Sequence, residues 1–218
     1  MSNLILGRLV AVAGFVVLVL GVLLWGSTAA EVLGIAGVVG GTLLARNGSL
    51  EKSKEDYRSR RKVLLGARRM IESESQLDDT RLATILQMDV VEVSRGVDFG
   101  MNTGYLPTDP SQGVFRQSMG YLYVDLIKGP LDTGWFNKPT LWVGSEIYGR
   151  SWGSKLAILK PGPYQVVVEM KYRVQNHTIK KRTGTGVYVE ENKIKGIYFL
   201  SPPGGMFFGG KIAEFDSE

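Results

Sequence analysis

The residues able to do chemistry are few and scattered. Zero cysteines in 218 residues removes thiolate nucleophiles, disulfides, Cys-ligated zinc and iron–sulfur clusters. The single histidine, His177, leaves no imidazole pair for a metal or a relay. It sits in the polar run Gln175-Asn176-His177-Thr178, which reads as a solvated loop and not as the seat of a general base. Four acids, Asp125, Asp132, Glu146 and Glu169, would support acid–base work only if the fold brought two of them together, and their spacing does not require it. The sequence contains no G-x-x-x-x-G-K-[ST] phosphate cradle, no G-x-G-x-x-G after a strand and no G-x-S-x-G elbow. The expectation is a non-enzymatic protein with no catalytic residue, no metal and no cofactor.

Recognition is the other kind of chemistry on offer. Trp135, Phe136, Trp142, Tyr148 and Trp152 concentrate aromatics in one short stretch. A flat platform of Trp135, Trp142, Tyr148 and Trp152 would suit a sugar or a peptide, while a small sandwich also needs bulky inward side chains. The apolar run Gly204–Gly210 reads either as a docking patch or as a strand between glycine turns.

The elements that would position these residues divide the chain sharply. Leu4 to Trp25 is almost wholly apolar, broken only by Arg8, and a second apolar run covers about Ala29 to Ala45 with Glu31 near its start. At 1.5 Å per residue the first run is long enough to cross a ~30 Å hydrocarbon core, and the second is at the short end of the spanning range. The turn between them is too short for anything but a tight hairpin. The spacing predicts a two-helix transmembrane hairpin over 1–47. A cleaved signal peptide is the competing reading, with 1–8 as its charged region, 9–24 as its apolar region and Thr28-Ala29-Ala30 near the cut.

Gly34, Gly37, Gly41 and Ala45 form a small-residue stripe on the second run. Such stripes let helix backbones approach closely. The stripe would pack either on the first run, which offers Gly7, Ala11 and Gly14, or on another subunit.

Between Arg46 and Arg69 nine basic residues face three acids, a local +6 that exceeds the +5 of the whole chain. The segment 48–86 therefore reads as a basic juxtamembrane helical stalk, with Tyr57, Leu64, Ala67 and Ile71 on one face. Arg58, Arg60, Arg61 and Lys62 would contact anionic lipid head groups or simply fix topology. By the positive-inside rule both termini, and the domain after Arg46, fall in the cytoplasm at the inner membrane. The cluster lacks the aromatic interleaving that nucleic-acid stacking needs, so no nucleic acid is expected.

Asp79–Met88 reads as a short helix. The following Asp89-Val90-Val91-Glu92-Val93 alternates like a strand, which argues against a helix-turn-helix. Period-two patterning then dominates 87–218. Tyr121, Tyr123, Asp125 and Ile127 alternate with Leu122, Val124 and Leu126. In Pro163–Gln175 the tyrosines, valines and Met170 oppose Gln165, Glu169, Lys171 and Arg173, with Val167 on the polar side. With glycine and proline turns between strands, the pattern predicts an all-β sandwich. Lys180-Lys181-Arg182 would blunt an exposed edge.

Leu141-Trp142-Val143-Gly144, Tyr148-Gly149, Trp152-Gly153 and Leu159-Lys160-Pro161-Gly162-Pro163-Tyr164-Gln165-Val166-Val167-Val168 resemble a PEGA-type module over about residues 140–212. Such modules are small immunoglobulin-like or prealbumin-like sandwiches attached to bacterial membrane proteins. The acid common before the first glycine is replaced by Val143. The resemblance implies interaction or surface display and brings no catalytic residue.

The whole chain thus reads as a hairpin, a helical stalk and a β-sandwich. Its expected role is that of an accessory, scaffold or assembly subunit of a bacterial membrane complex. Its partners would be the lipid bilayer and other membrane subunits or itself. The alternative is an envelope-side module binding a carbohydrate or cell-wall ligand through the aromatics.

Overall fold

The fold is taken from a computed structural model that describes residues 9–10, 13–14, 16, 28–112, 118–129, 138–174, 177–201 and 210–215. Side chains at 28–36, 39, 112, 172–174 and 177 lie outside the description.

Helix α1 (Thr28–Glu74, 47 residues) is continuous, and the apolar run and the basic run are two halves of it. Its second half is amphipathic. Tyr57, Val63, Leu64, Ala67, Met70 and Ile71 are all buried, while Arg68 and Glu72 pair one turn apart along the edge of that stripe, at 2.8 Å. The helix stops at Ser75, which takes a left-handed φ of 53° and returns its N–H to the Ile71 carbonyl.

This helix corrects the expected transmembrane hairpin. Among the described residues no helix is long and apolar enough to cross a membrane. Of the first apolar run only 9–10, 13–14 and 16 are described, all helical. The second run is short. Its roughly 17 residues, 29–45, would span only about 26 Å, short of the ~30 Å core. Gly34, Gly37, Gly40, Gly41 and Thr42 dilute its hydropathy further. The integral-membrane assignment, the inner-membrane location and the cytoplasmic orientation fall with it.

Two short helices follow. Asp78 caps α2 (Asp79–Leu86) by accepting from the Thr80 and Arg81 amides, at 2.9 and 3.1 Å. Gln87 closes the helix in the left-handed region at φ 53°. Asp89 then caps α3 (Val90–Asn102), accepting from Val91 and Glu92. The expected strand at 89–93 is thus the first turn of a helix. Its β-branched residues favour a strand locally, but the Asp89 cap and the burial of Val93 and Val97 against α1 outweigh that weak preference. A glycine notch sets the close α1–α3 packing: a Cβ at Gly96 would lie 2.7 Å from Val63 Cγ1, and one at Gly100 would lie 2.6 Å from Leu64 Cδ2.

Eight strands complete the described fold: β1 (Gly120–Ile127), β2 (Thr140–Val143), β3 (Glu146–Gly149), β4 (Gly153–Leu159), β5 (Gly162–Val174), β6 (His177–Val189), β7 (Ile194–Leu200) and β8 (Lys211–Glu214). They form two four-stranded sheets, sheet A in the order β4-β1-β7-β8 and sheet B in the order β3-β2-β5-β6. All pairings are antiparallel except β1 with β7, where Tyr121 faces Ile194 and Ile127 faces Leu200.

Sheet A is the middle layer. Leu122, Val124 and Leu126 of β1 pack with Leu141, Val143, Val166, Val168, Val187 and Val189 of sheet B. The other β1 face, Tyr121, Tyr123 and Ile127, packs with the buried stripe of α1 and with Leu82, Val93 and Val97. All eight β1 residues are buried, as a parallel pair covered on both faces requires. The layers meet most tightly at Gly196. A Cβ there would come within 2.6 Å of Tyr57 Oη, and the Tyr57 ring also stacks on Phe215 with centroids 4.5 Å apart.

Candidate functional site

Three polar or aromatic constellations emerge from this layering. The first lies inside it. The β1 alternation puts Asp125 on the helix-facing side, only 9% exposed. Its carboxylate accepts from Ser53 of α1 at 2.5 Å and from Ser154 of β4 at 3.1 Å, and Tyr123 Oη donates to Ser154 Oγ at 2.7 Å. Burial, with the Asp125 charge adding, pushes the Tyr123 phenol up to about 12. Burial also raises the Asp56 carboxyl, against the pull of Arg60 and Lys52. Desolvation lowers the Lys155 ammonium, and Asp125 partly restores it.

Chemically this cluster is a clamp. The Ser154 proton is spent on Asp125, and among the described side chains no imidazole stands beside either serine. Of the four acids singled out from sequence, the three described do not converge. Asp125 is in the helix–sheet layer, Glu146 is exposed on β3, Glu169 lies on the far face of sheet B, and Asp132 is outside the described residues. Sequence reasoning missed Ser53, Ser154 and Asp56. The available signal was an acid lying in register with two tyrosines on an otherwise apolar strand. Among the described residues no group of three acids or histidines could hold a metal.

The second constellation is a cleft of about 460 Å³ between α1 and α3, lined by Lys52, Asp56, Ser59, Arg60, Asp89, Glu92 and Arg95 among others. Its charges balance, and two of its three acids are engaged locally. Asp89 caps α3, and Ser59 donates to Glu92. Arg60 lies over the Phe99 ring at 4.9 Å. Of the other predicted head-group residues, Lys62 donates to the Leu86 carbonyl at 2.7 Å and so satisfies the end of α2. Arg61 is half-buried, with no hydrogen-bond partner for Nε among the described residues, and Arg58 is exposed.

The third is the outer face of sheet B. Cross-strand register aligns Ile147, Trp142, Val167 and Gly184 in one row over β3, β2, β5 and β6. A shallow cleft of about 380 Å³ opens there, lined by Trp142, Gly144, Ser145, Val167 and Arg182. The β2–β3 turn rests on Gly144, at φ 61°, whose N–H donates to the Gln165 carbonyl. Trp142 Nε1 is buried with no hydrogen-bond partner among the described residues. Beside the cleft, Arg182 donates to Glu169 Oε2 at 2.7 Å, which holds that carboxyl below its usual range. Tyr188 is 62% exposed and Ile147 40% exposed on the same face.

The four aromatics singled out from sequence do not form one platform. Trp142 faces outward, Tyr148 and Trp152 pack against the inter-sheet core, and Trp135 is outside the described residues. Of the small-residue stripe, Gly37 sits against Gly14: a Cβ at Gly37 would lie 2.8 Å from Gly14 Cα, and one at Gly14 would lie 2.6 Å from the Val38 amide nitrogen. Gly41 and Ala45 are buried, and Gly34 falls where surroundings are not described. Val167 and Ile147 were not singled out. The signal for Val167 was its place among the polar residues of β5.

No family model, curated protein or solved structure matches this chain.

Proposed function

We propose that the chain is a non-enzymatic interaction protein, an accessory or scaffold subunit that assembles with another protein or with a second copy of itself through the outer face of sheet B. One observation supports this most. Sheet A is covered by helices on one side and by sheet B on the other, whereas the outer face of sheet B is left without a covering layer among the described residues and carries Trp142, Ile147, Val167 and Tyr188. Aromatic side chains in a desolvated central position contribute most of the energy of typical interfaces. The PEGA-type resemblance implies the same kind of work.

The test is site-specific photo-crosslinking in cells, with the reactive residue placed at Tyr188, at Ile147, and at Glu72 in the helical layer as a control. The reading expects discrete adducts from the first two sites and none from Glu72. Trp142→Ala should remove about 2 kcal/mol of binding, roughly 30-fold in affinity, and weaken those adducts accordingly. Equal adducts from all three sites, or none from the sheet, would contradict it.

A further inference from the structure

Strand β6 is an edge of sheet B, with β5 as its one strand neighbour among the described residues. Its first half is strongly basic. Lys171 of β5 and Lys180 of β6 are directly opposed across the hairpin, with Lys181 and Arg182 following. Like charges directly opposed weaken a sheet. The only acid between residues 169 and 182 is Glu169, and its carboxylate is taken by Arg182, with Lys171 3.8 Å away. Lys180 and Lys181 have no ion-pair partner among the described residues. This half of β6 also leaves Ile179 42% exposed.

A free strand edge offers unpaired N–H and C=O groups at ~3.3 Å per residue, a template for any extended chain. The lysines decide which chain. They repel the same edge of a second copy and other basic strands, and they attract carboxylates. We propose that the β6 edge over Thr178–Thr183 captures an acidic, extended segment of a partner polypeptide, which pairs with it as a fifth strand of sheet B. Acidic side chains of the added strand would meet Lys180 and Arg182 on the outer face, and its apolar side chains would lie toward Ile179. This deepens the proposed function and rests on it, because it names the chemistry of the partner.

The experiment uses the full chain and a fluorescent ten-residue peptide of alternating Glu and Val, followed by anisotropy. Three comparison peptides carry Lys for Glu, carry proline at every second apolar position, or scramble the order. The proposal expects the Glu–Val peptide to bind at least about tenfold more tightly than the Lys and proline versions, each tenfold being 1.4 kcal/mol. Binding should weaken with salt. The Lys180→Glu variant, checked for unchanged thermal unfolding, should lose about tenfold more. Hydrogen exchange should show new protection of β6 amides in the complex.

Equal binding of the proline and scrambled peptides would overturn the proposal, since charge alone would then suffice. Tighter binding of a single-stranded oligonucleotide or of vesicles containing anionic lipid would overturn it as well, as would no peptide binding at all. If the peptide fails while Tyr188 still crosslinks, only this inference falls. If both fail, the interaction reading falls too.

Discussion

The Ser53–Asp125 hydrogen bond ties α1 to the central strand of sheet A, and Ser53→Ala measures how firmly. Ser53 is 4% and Asp125 9% exposed, so water cannot replace the lost donor freely. A hydrogen bond to a charged group is worth about 1.5–3 kcal/mol, and the orphaned acceptor adds its desolvation cost. Alanine recovers roughly 0.5 kcal/mol of helix propensity over serine. The net loss should be about 1–2.5 kcal/mol. With a urea m value of about 2 kcal/mol/M for a chain of this size, the midpoint should fall by roughly 0.5–1.2 M with m unchanged. Ser53→Ala combined with Asp125→Asn should be less damaging than the two changes summed, because they remove the same bond. A shift under about 0.3 M, or strict additivity of the pair, would refute the clamp.

Three further outcomes follow from the same geometry. The Tyr123 phenol stays neutral to about pH 12 in the fold but ionises near 10 when unfolded, so stability should be full below pH 10 and fall by roughly 3 kcal/mol between 10 and 12. Tyr123→Phe should flatten that part of a pH–stability curve measured by denaturant. Gly196→Ala should drive a methyl group into the Tyr57 ring and cost about 1–3 kcal/mol, read as a lower melting temperature together with altered near-UV tyrosine signal. Gln87→Gly should stabilise the chain by up to about 1 kcal/mol, because Gln87 holds a left-handed φ of 53° at the end of α2; a loss of stability would mean that the α2–α3 turn is wrong.

The β half was legible in sequence because period two carries its own evidence of facing. The alternation in β1 separates Tyr121, Tyr123 and Asp125 from Leu122, Val124 and Leu126, and the two sets fill two different cores. In β5 Val167 broke the polar set and marked the exposed row. What β1 pairs with was not legible. Its parallel partner is more than sixty residues away and is chosen by packing, not by any local signal. Helix α3 was hidden for the opposite reason. Val90, Val91 and Val93 speak locally for a strand; against them stand the local Asp89 cap, which outweighs them together with the notch at Gly96 and Gly100 that forms only once α1 is in place.

The second N-terminal run misled because an apolar average says nothing about continuity. The second run proceeds without interruption into charged residues whose inner stripe covers a sheet. The candidate site was half visible. Trp142 could be picked out by type, but its separation from Tyr148 and Trp152 depends on the β2–β3 register, and Ser53 meets Asp125 only across 72 residues of chain.

The account stands on the helices being a structural layer that seals sheet A and leaves sheet B open. Amide hydrogen exchange on the full chain tests this most directly. The account predicts that 53–71 of α1 and all of β1 exchange at the same slow rate, through one global opening, while edge strands β3 and β6 exchange much faster. If 53–71 exchanges orders of magnitude faster than β1, the helix is not part of the fold's core and the argument for an open sheet B face is lost.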